Sequence, residues 1–142
     1  MTLESVDYTD TFIALAPDAS GETSVPQARG GKPTVASATF EMISEAPYEH
    51  TSGDVIFTVW ADRQGIAEAD RDAERAKYYS VGRPCLRASD LGKRYGWGVH
   101  ADDKGRLALY AAGSPEYEAL EGGTAPDGSA VKVIRAMRTS RT

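Results

Sequence analysis

Seven prolines cut this chain into short pieces and leave room only for short helices and strands. Proline has no backbone donor, and it pushes the residue before it toward extended geometry. Pro17 therefore ends a strand over residues 10–16, Asp-Thr-Phe-Ile-Ala-Leu-Ala. Pro33 opens a helix over 34–46, in which Val35, Ala36, Ala38, Thr39, Met42 and Ile43 fall near helical spacing, and Pro47 ends it. Between them, residues 17–32 carry Pro17, Pro26, Gly21, Gly30 and Gly31 and few large apolar groups, which predicts a long mobile loop. Pro115 follows Ser114 and precedes Glu116, the signature of a helix start.

Residues 52–64 are ambiguous. Val-Ile-Phe-Thr-Val-Trp favours a strand. Against that, Thr51 or Ser52 suits a helix cap, Asp54 its first turn, and Arg63 and Gly65 its end, so a helix is the expectation. Residues 67–80 predict a third helix, with Glu68, Asp70, Asp72 and Glu74 in front and Lys77 behind. Ser89 caps a short turn over 90–95, and the β-prone runs 97–101 and 107–111 flank Asp102-Asp103-Lys104-Gly105 as a hairpin. Residues 131–137 alternate as a last strand. The chain of 142 residues is one domain's worth and can bury a core unaided. The expected architecture is a single α+β domain over residues 1–142. An antiparallel sheet of about four strands, near 11–16, 97–101, 107–111 and 131–137, carries three helices on one face. A flexible tail is expected at 139–142.

The net charge of −5 argues against general nucleic-acid binding. Charge is uneven, however: residues 83–106 carry six bases and three acids, and residues 131–142 carry four bases and no acid. Either these are solvated faces, or both line one anion-attracting surface. No apolar run approaches the roughly 18–20 residues needed to cross a bilayer. The acidic, polar start does not read as a secretory signal, and one cysteine allows no internal disulfide, so a cytoplasmic protein is expected.

The stretch Pro84-Cys85-Leu86-Arg87-Ala88-Ser89, followed by Lys93-Arg94-Tyr95-Gly96-Trp97-Gly98-Val99-His100, resembles a bacterial domain-of-unknown-function family, numbered six-one-five-seven. So do Phe40-Glu41-Met42-Ile43-Ser44-Glu45, Pro47-Tyr48, Thr51-Ser52, Asp54-Val55-Ile56-Phe57 and Arg135-Ala136-Met137-Arg138. The resemblance covers roughly residues 8 to 138 and implies a small intracellular single-domain protein, with no activity or catalytic residue to carry over. Gly53 departs from the family's pattern by replacing one of two acids after Ser52.

Arg87, Ser89, Lys93, Arg94, Trp97 and His100 lie within fourteen residues. Bases, a hydroxyl and aromatics so interleaved suit a phosphate, carboxylate or nucleobase, and they form the expected ligand site. The bland alternative is that Arg87 and Arg94 pair with acids of residues 41–74. Gly96 and Gly98 either relieve crowding while Trp97 enters the core, or let a ligand reach the indole. Cys85, between Pro84 and Leu86, is expected to be a small buried hydrophobe; with His100 or His50 it could instead pair a nucleophile with a base. No histidine or cysteine spacing suits a metal, and no cofactor is expected. Three functions stay open: a small domain binding an anionic or aromatic ligand, an interaction or self-associating module, and an enzyme using Cys85 or His100.

Overall fold

The computed structural model describes residues 3–138, so the tail expected at 139–142 lies outside the described residues. The elements are β1 (Thr11–Ala14), α1 (Val35–Glu45), α2 (Ser52–Gln64), α3 (Arg71–Tyr78), α4 (Asp90–Lys93), β2 (Trp97–Ala101), β3 (Leu107–Ala111), α5 (Pro115–Glu121) and β4 (Lys132–Arg135). The strands form one sheet in the order β3-β2-β1-β4. All four residues of β1 are buried, as a central strand requires.

One expectation needs correction. β2 is antiparallel to both β3 and β1, but β4 runs parallel to β1, so the sheet is mixed rather than antiparallel. The cause is α5. A two-residue turn can join only antiparallel neighbours, whereas a helix that carries the chain across a sheet returns it in the same direction. α5 makes that crossing from one edge strand, β3, to the other, β4. Its own start follows the sequence rule: Ser114 Oγ accepts from the Tyr117 amide, and Pro115 holds the first position.

The two sheet faces have different covers. α1 and α2 pack Ile43, Val55 and Val59 against Ile13, Val99, Ala101 and Leu107. α5 packs Tyr117 and Leu120 against Phe12 and Ala14 on the opposite face. α3 joins neither layer; it lies against α2 through Phe57, Ala61 and Tyr78. The expected three helices on one face are thus two, with the third stacked behind them.

The ambiguous segment is a helix, and its ends account for that. Thr51 Oγ1 accepts from the Asp54 amide while the Asp54 carboxylate accepts from the Thr51 amide. Gly65 closes the helix in the left-handed conformation. The β-prone residues serve burial on three sides: Val55 and Val59 face the sheet, Phe57 faces α3, and Ile56 and Trp60 line a cavity. Asp54 also binds Arg75 at 2.9 Å, and Arg75 binds Glu4 at 2.8 Å, tying the start of the chain to α2 and α3.

The exposed edge of β3 is capped. The Tyr48 amide donates to the Leu107 carbonyl at 2.7 Å, and the Leu107 amide to the His50 carbonyl at 2.8 Å. Such capping blunts an otherwise free edge. Residues 17–32 run as an extended loop across Tyr95, Gly96 and Trp97: the Ser24 amide donates to the Tyr95 carbonyl, and Trp97 Nε1 to the Ser24 carbonyl.

Gly98 shows how closely the sheet and α5 approach. A Cβ there would collide with the Phe12 ring and stand 2.8 Å from the Tyr117 ring. Gly98→Ala is therefore expected to cost about 1–3 kcal/mol by overpacking, read as a lowered melting temperature. Gly82→Ala, where a Cβ would meet nothing within 4 Å, should stay within about 0.5 kcal/mol of the parent. Equal effects from the two would contradict this packing.

Candidate functional site

α1, α2 and the segment 84–90 line a half-open cavity of about 340 Å³. Val35, Ala36 and Thr39 of α1 form one wall, and Ile56, Val59 and Trp60 of α2 form another. Cys85, Leu86 and Ala88 close the third side. The aromatic corner is held firmly. Trp60 and Tyr78 lie 4.7 Å apart, and the Arg83 guanidinium sits 4.0 Å over the other aromatic partner, Tyr78. Arg83 Nε also donates to the Tyr78 carbonyl at 2.8 Å. A cation over a ring and a hydrogen bond to the same residue leave that wall little freedom.

Segment 84–90 is anchored to the sheet, which fixes the cavity's third side. The Met137 amide donates to the Arg87 carbonyl, and Arg87 Nε donates to the Arg135 carbonyl at 2.7 Å. Cys85 is half-buried rather than fully buried, because it stands at the cavity wall instead of in the core. Its Sγ lies 2.9 Å from the Tyr8 hydroxyl. Burial, followed by that contact with Cys85, pushes the Tyr8 hydroxyl up to about 12.

The structure distributes the sequence-expected ligand residues. Ser89 lines the cavity, with its Oγ accepting from the Leu91 amide. Arg87 is exposed and turned to the Arg135 carbonyl. Lys93 is half-buried, and Arg94 is exposed and paired with Asp90 at 3.4 Å. Trp97 packs at a tilt against Phe40 of α1, with centroids 5.0 Å apart. His100 is buried beside Phe12 on the α5 face. Trp97 and His100 are three residues apart on one strand, and side chains alternate faces, so they project to opposite sides of the sheet. For the same reason the sheet separates His100 from Cys85, which lies on the α1–α2 side with Leu86.

His100 belongs to a different cluster. Its Nδ1 lies 2.9 Å from the Tyr48 hydroxyl, which is in turn 2.7 Å from the Tyr110 hydroxyl. Tyr48 reaches this position with a φ of 60°, a left-handed conformation that costs a non-glycine residue about 1–2 kcal/mol. Burial, and then the hydrogen bond with Tyr110, push the Tyr48 hydroxyl well above the usual phenol range. Burial also lowers His100 below the ordinary imidazole value, although Asp102, Asp127 and Asp10 pull it back up. Tyr110 is brought beside His100 by the pairing of β3 with β2, and Tyr48 by the edge pairing of residues 48–51 with Leu107. Among the described residues, no group of three or more His, Cys, Asp or Glu stands together as a metal site, and no helix is long and apolar enough to cross a membrane.

These features define a small α+β domain with a mixed four-stranded sheet, helices on both faces and one apolar, aromatic-cornered cavity beside a cysteine. The chain belongs to the family of unknown function DUF6157, which it matches over residues 3–142. No curated protein and no solved structure matches it.

The depressed His100 pKa makes stability depend on pH with a definite sign. Above about pH 6.5 the imidazole is neutral in both folded and unfolded chains. As pH falls below that value, the unfolded chain takes up a proton that the folded chain resists, so stability drops until the folded-state pKa is reached. Melting temperature should therefore fall more steeply between about pH 7 and pH 5 in the parent than in His100→Gln. Parallel curves would contradict the assignment.

Proposed function

We propose that this domain binds a small organic molecule with an apolar body in the cavity between α1, α2 and segment 84–90. The observation that carries this reading is the cavity itself. Its volume of about 340 Å³ lies within the range of small-molecule sites, and its lining is mostly apolar with a few polar groups at the margin. The cavity is half open to solvent, so a fitting ligand removes its apolar lining from water and gains the free energy of that burial. The rigid Trp60–Tyr78–Arg83 corner supports a preformed site.

The reading keeps the small-ligand class that the sequence suggests but moves the ligand. Ser89 is common to both placements. Arg87, Trp97 and His100 are engaged with the chain itself, and the last two stand on opposite faces of the sheet, which favours the cavity over the basic–aromatic segment.

A thermal-shift screen of small organic compounds tests this against Ala88→Phe, which puts a ring at the cavity wall. Hits should raise the melting temperature of the parent, by about 2.7 kcal/mol of stabilisation at 100 times the dissociation constant. They should lose that effect in Ala88→Phe and keep it in Arg94→Ala. Hits that stabilise Ala88→Phe as well as the parent, or that fail only in Arg94→Ala, would place the ligand elsewhere.

A further inference from the structure

We propose that the ligand is an amphipathic carboxylate, an alkyl or aryl body bearing one carboxyl group, with its anionic end held by Arg63. This rests on the cavity reading and adds the chemistry of the ligand's polar end. Arg63, Gln64 and Val59 line the apolar cavity and also a second cavity, of about 420 Å³, which opens beside Lys32 and Pro33. Arg63 therefore stands at the junction of the two cavities, and the second brings Lys32 and Asp62 to that junction.

The charges around this junction are unequally compensated. Asp62 at the second cavity is held by Arg71 at 2.8 Å, and Asp90, in the lining of the first, is paired with Arg94 at 3.4 Å. Arg63 has only a neutral partner, the Pro33 carbonyl, to which Nη1 donates at 3.0 Å. Among the described residues neither Arg63 nor Lys32 has a carboxylate partner. A protein of net charge −5 thus presents a local excess of positive charge at the mouth of its apolar cavity.

The backbone adds to this. The capping box of α1 serves the amides of Thr34 and Ser37. It leaves out those of Val35 and Ala36, the two first-turn residues that line the cavity. The opposing partial charge at the end of α2 is reduced, because the Ala61 carbonyl accepts from the amides of Gly65 and Ile66. The remaining Arg63 donors form a planar fork matched to a carboxylate, while Ile56, Trp60 and Leu86 receive the apolar body.

Cys85 is the only cysteine in the chain and lines the cavity, so its alkylation reports occupancy. The experiment follows alkylation of the intact protein by iodoacetamide, a neutral reagent, in the presence of hexanoate, octanoate, decanoate and 4-phenylbutyrate, each beside its neutral amide. Calorimetric titration of the same pairs gives a second reading that does not depend on the thiol. At least one acid should bind and protect Cys85 at roughly ten-fold lower concentration than its amide. Arg63→Gln, an exposed position whose loss should spare folding, is expected to abolish that advantage and leave the amide unchanged. If acid and amide bind equally in the parent, or if Arg63→Gln keeps the advantage, the carboxylate proposal is overturned while the cavity reading stands. If no acid or amide binds by either measurement, both fall.

Discussion

β1 is the strand on which the rest of this protein depends. It is hydrogen-bonded on both sides, to β2 in one sense and to β4 in the other, and buries every one of its four residues. A strand so enclosed joins the β2–β3 hairpin to β4, and β4, which pairs with β1 alone in the sheet, cannot hold its place without it. Its alternating side chains then divide the molecule: Ile13 faces α1 and α2, while Phe12 and Ala14 face α5. The cavity follows from that division. On the α1–α2 side, cover beyond the two helices comes from segment 84–90, which is fixed to the chain beyond β4 through Arg87 and Met137. Short irregular backbone cannot fill the space between helices as a third helix would.

Much of the fold was legible because the signals were local. Caps at Thr51 and Ser114 and the glycine after Gln64 mark helix ends by chemistry that acts within one turn, whereas α1 is capped by Thr34 and not opened by Pro33. The parallel pairing of β1 with β4 was not read, although its cue was present: a helix start at Ser114-Pro115 between two strands implies a crossover, and a crossover between strands of one sheet implies parallel order. Residues 52–64 looked partly like a strand for a physical reason. β-branched and aromatic residues suit any surface buried on several sides, and α2 is covered by the sheet, by α3 and by the cavity lining.

The site was less legible. Clustering Trp97 with His100 by sequence distance ignored the alternation of a strand, which sends them to opposite faces. The apolar neighbours of Cys85 point to the core, and nothing local reveals that Leu86 alone takes that place. The cavity residues come from four separate stretches of chain, so only the tertiary fold assembles them. One signal was available: α2 carries more apolar side chains than a single buried stripe needs, and Ile56 and Trp60 are the surplus. Tyr48 belongs to the Pro47-Tyr48 segment of the family resemblance, yet its contact with His100 depends on a left-handed backbone that sequence propensity disfavours.

The central claim is that the space between α1, α2 and segment 84–90 is where a small molecule binds. Methyl-region NMR of the intact protein, titrated with a mixture of small apolar and amphipathic fragments, tests it most directly. The account predicts that shifted methyl signals group at Val35, Ile56, Val59 and Leu86, all of which line the cavity. Shifts confined to Val131, Val133 and Leu120 on the α5 side, with the cavity methyls unmoved, would contradict it.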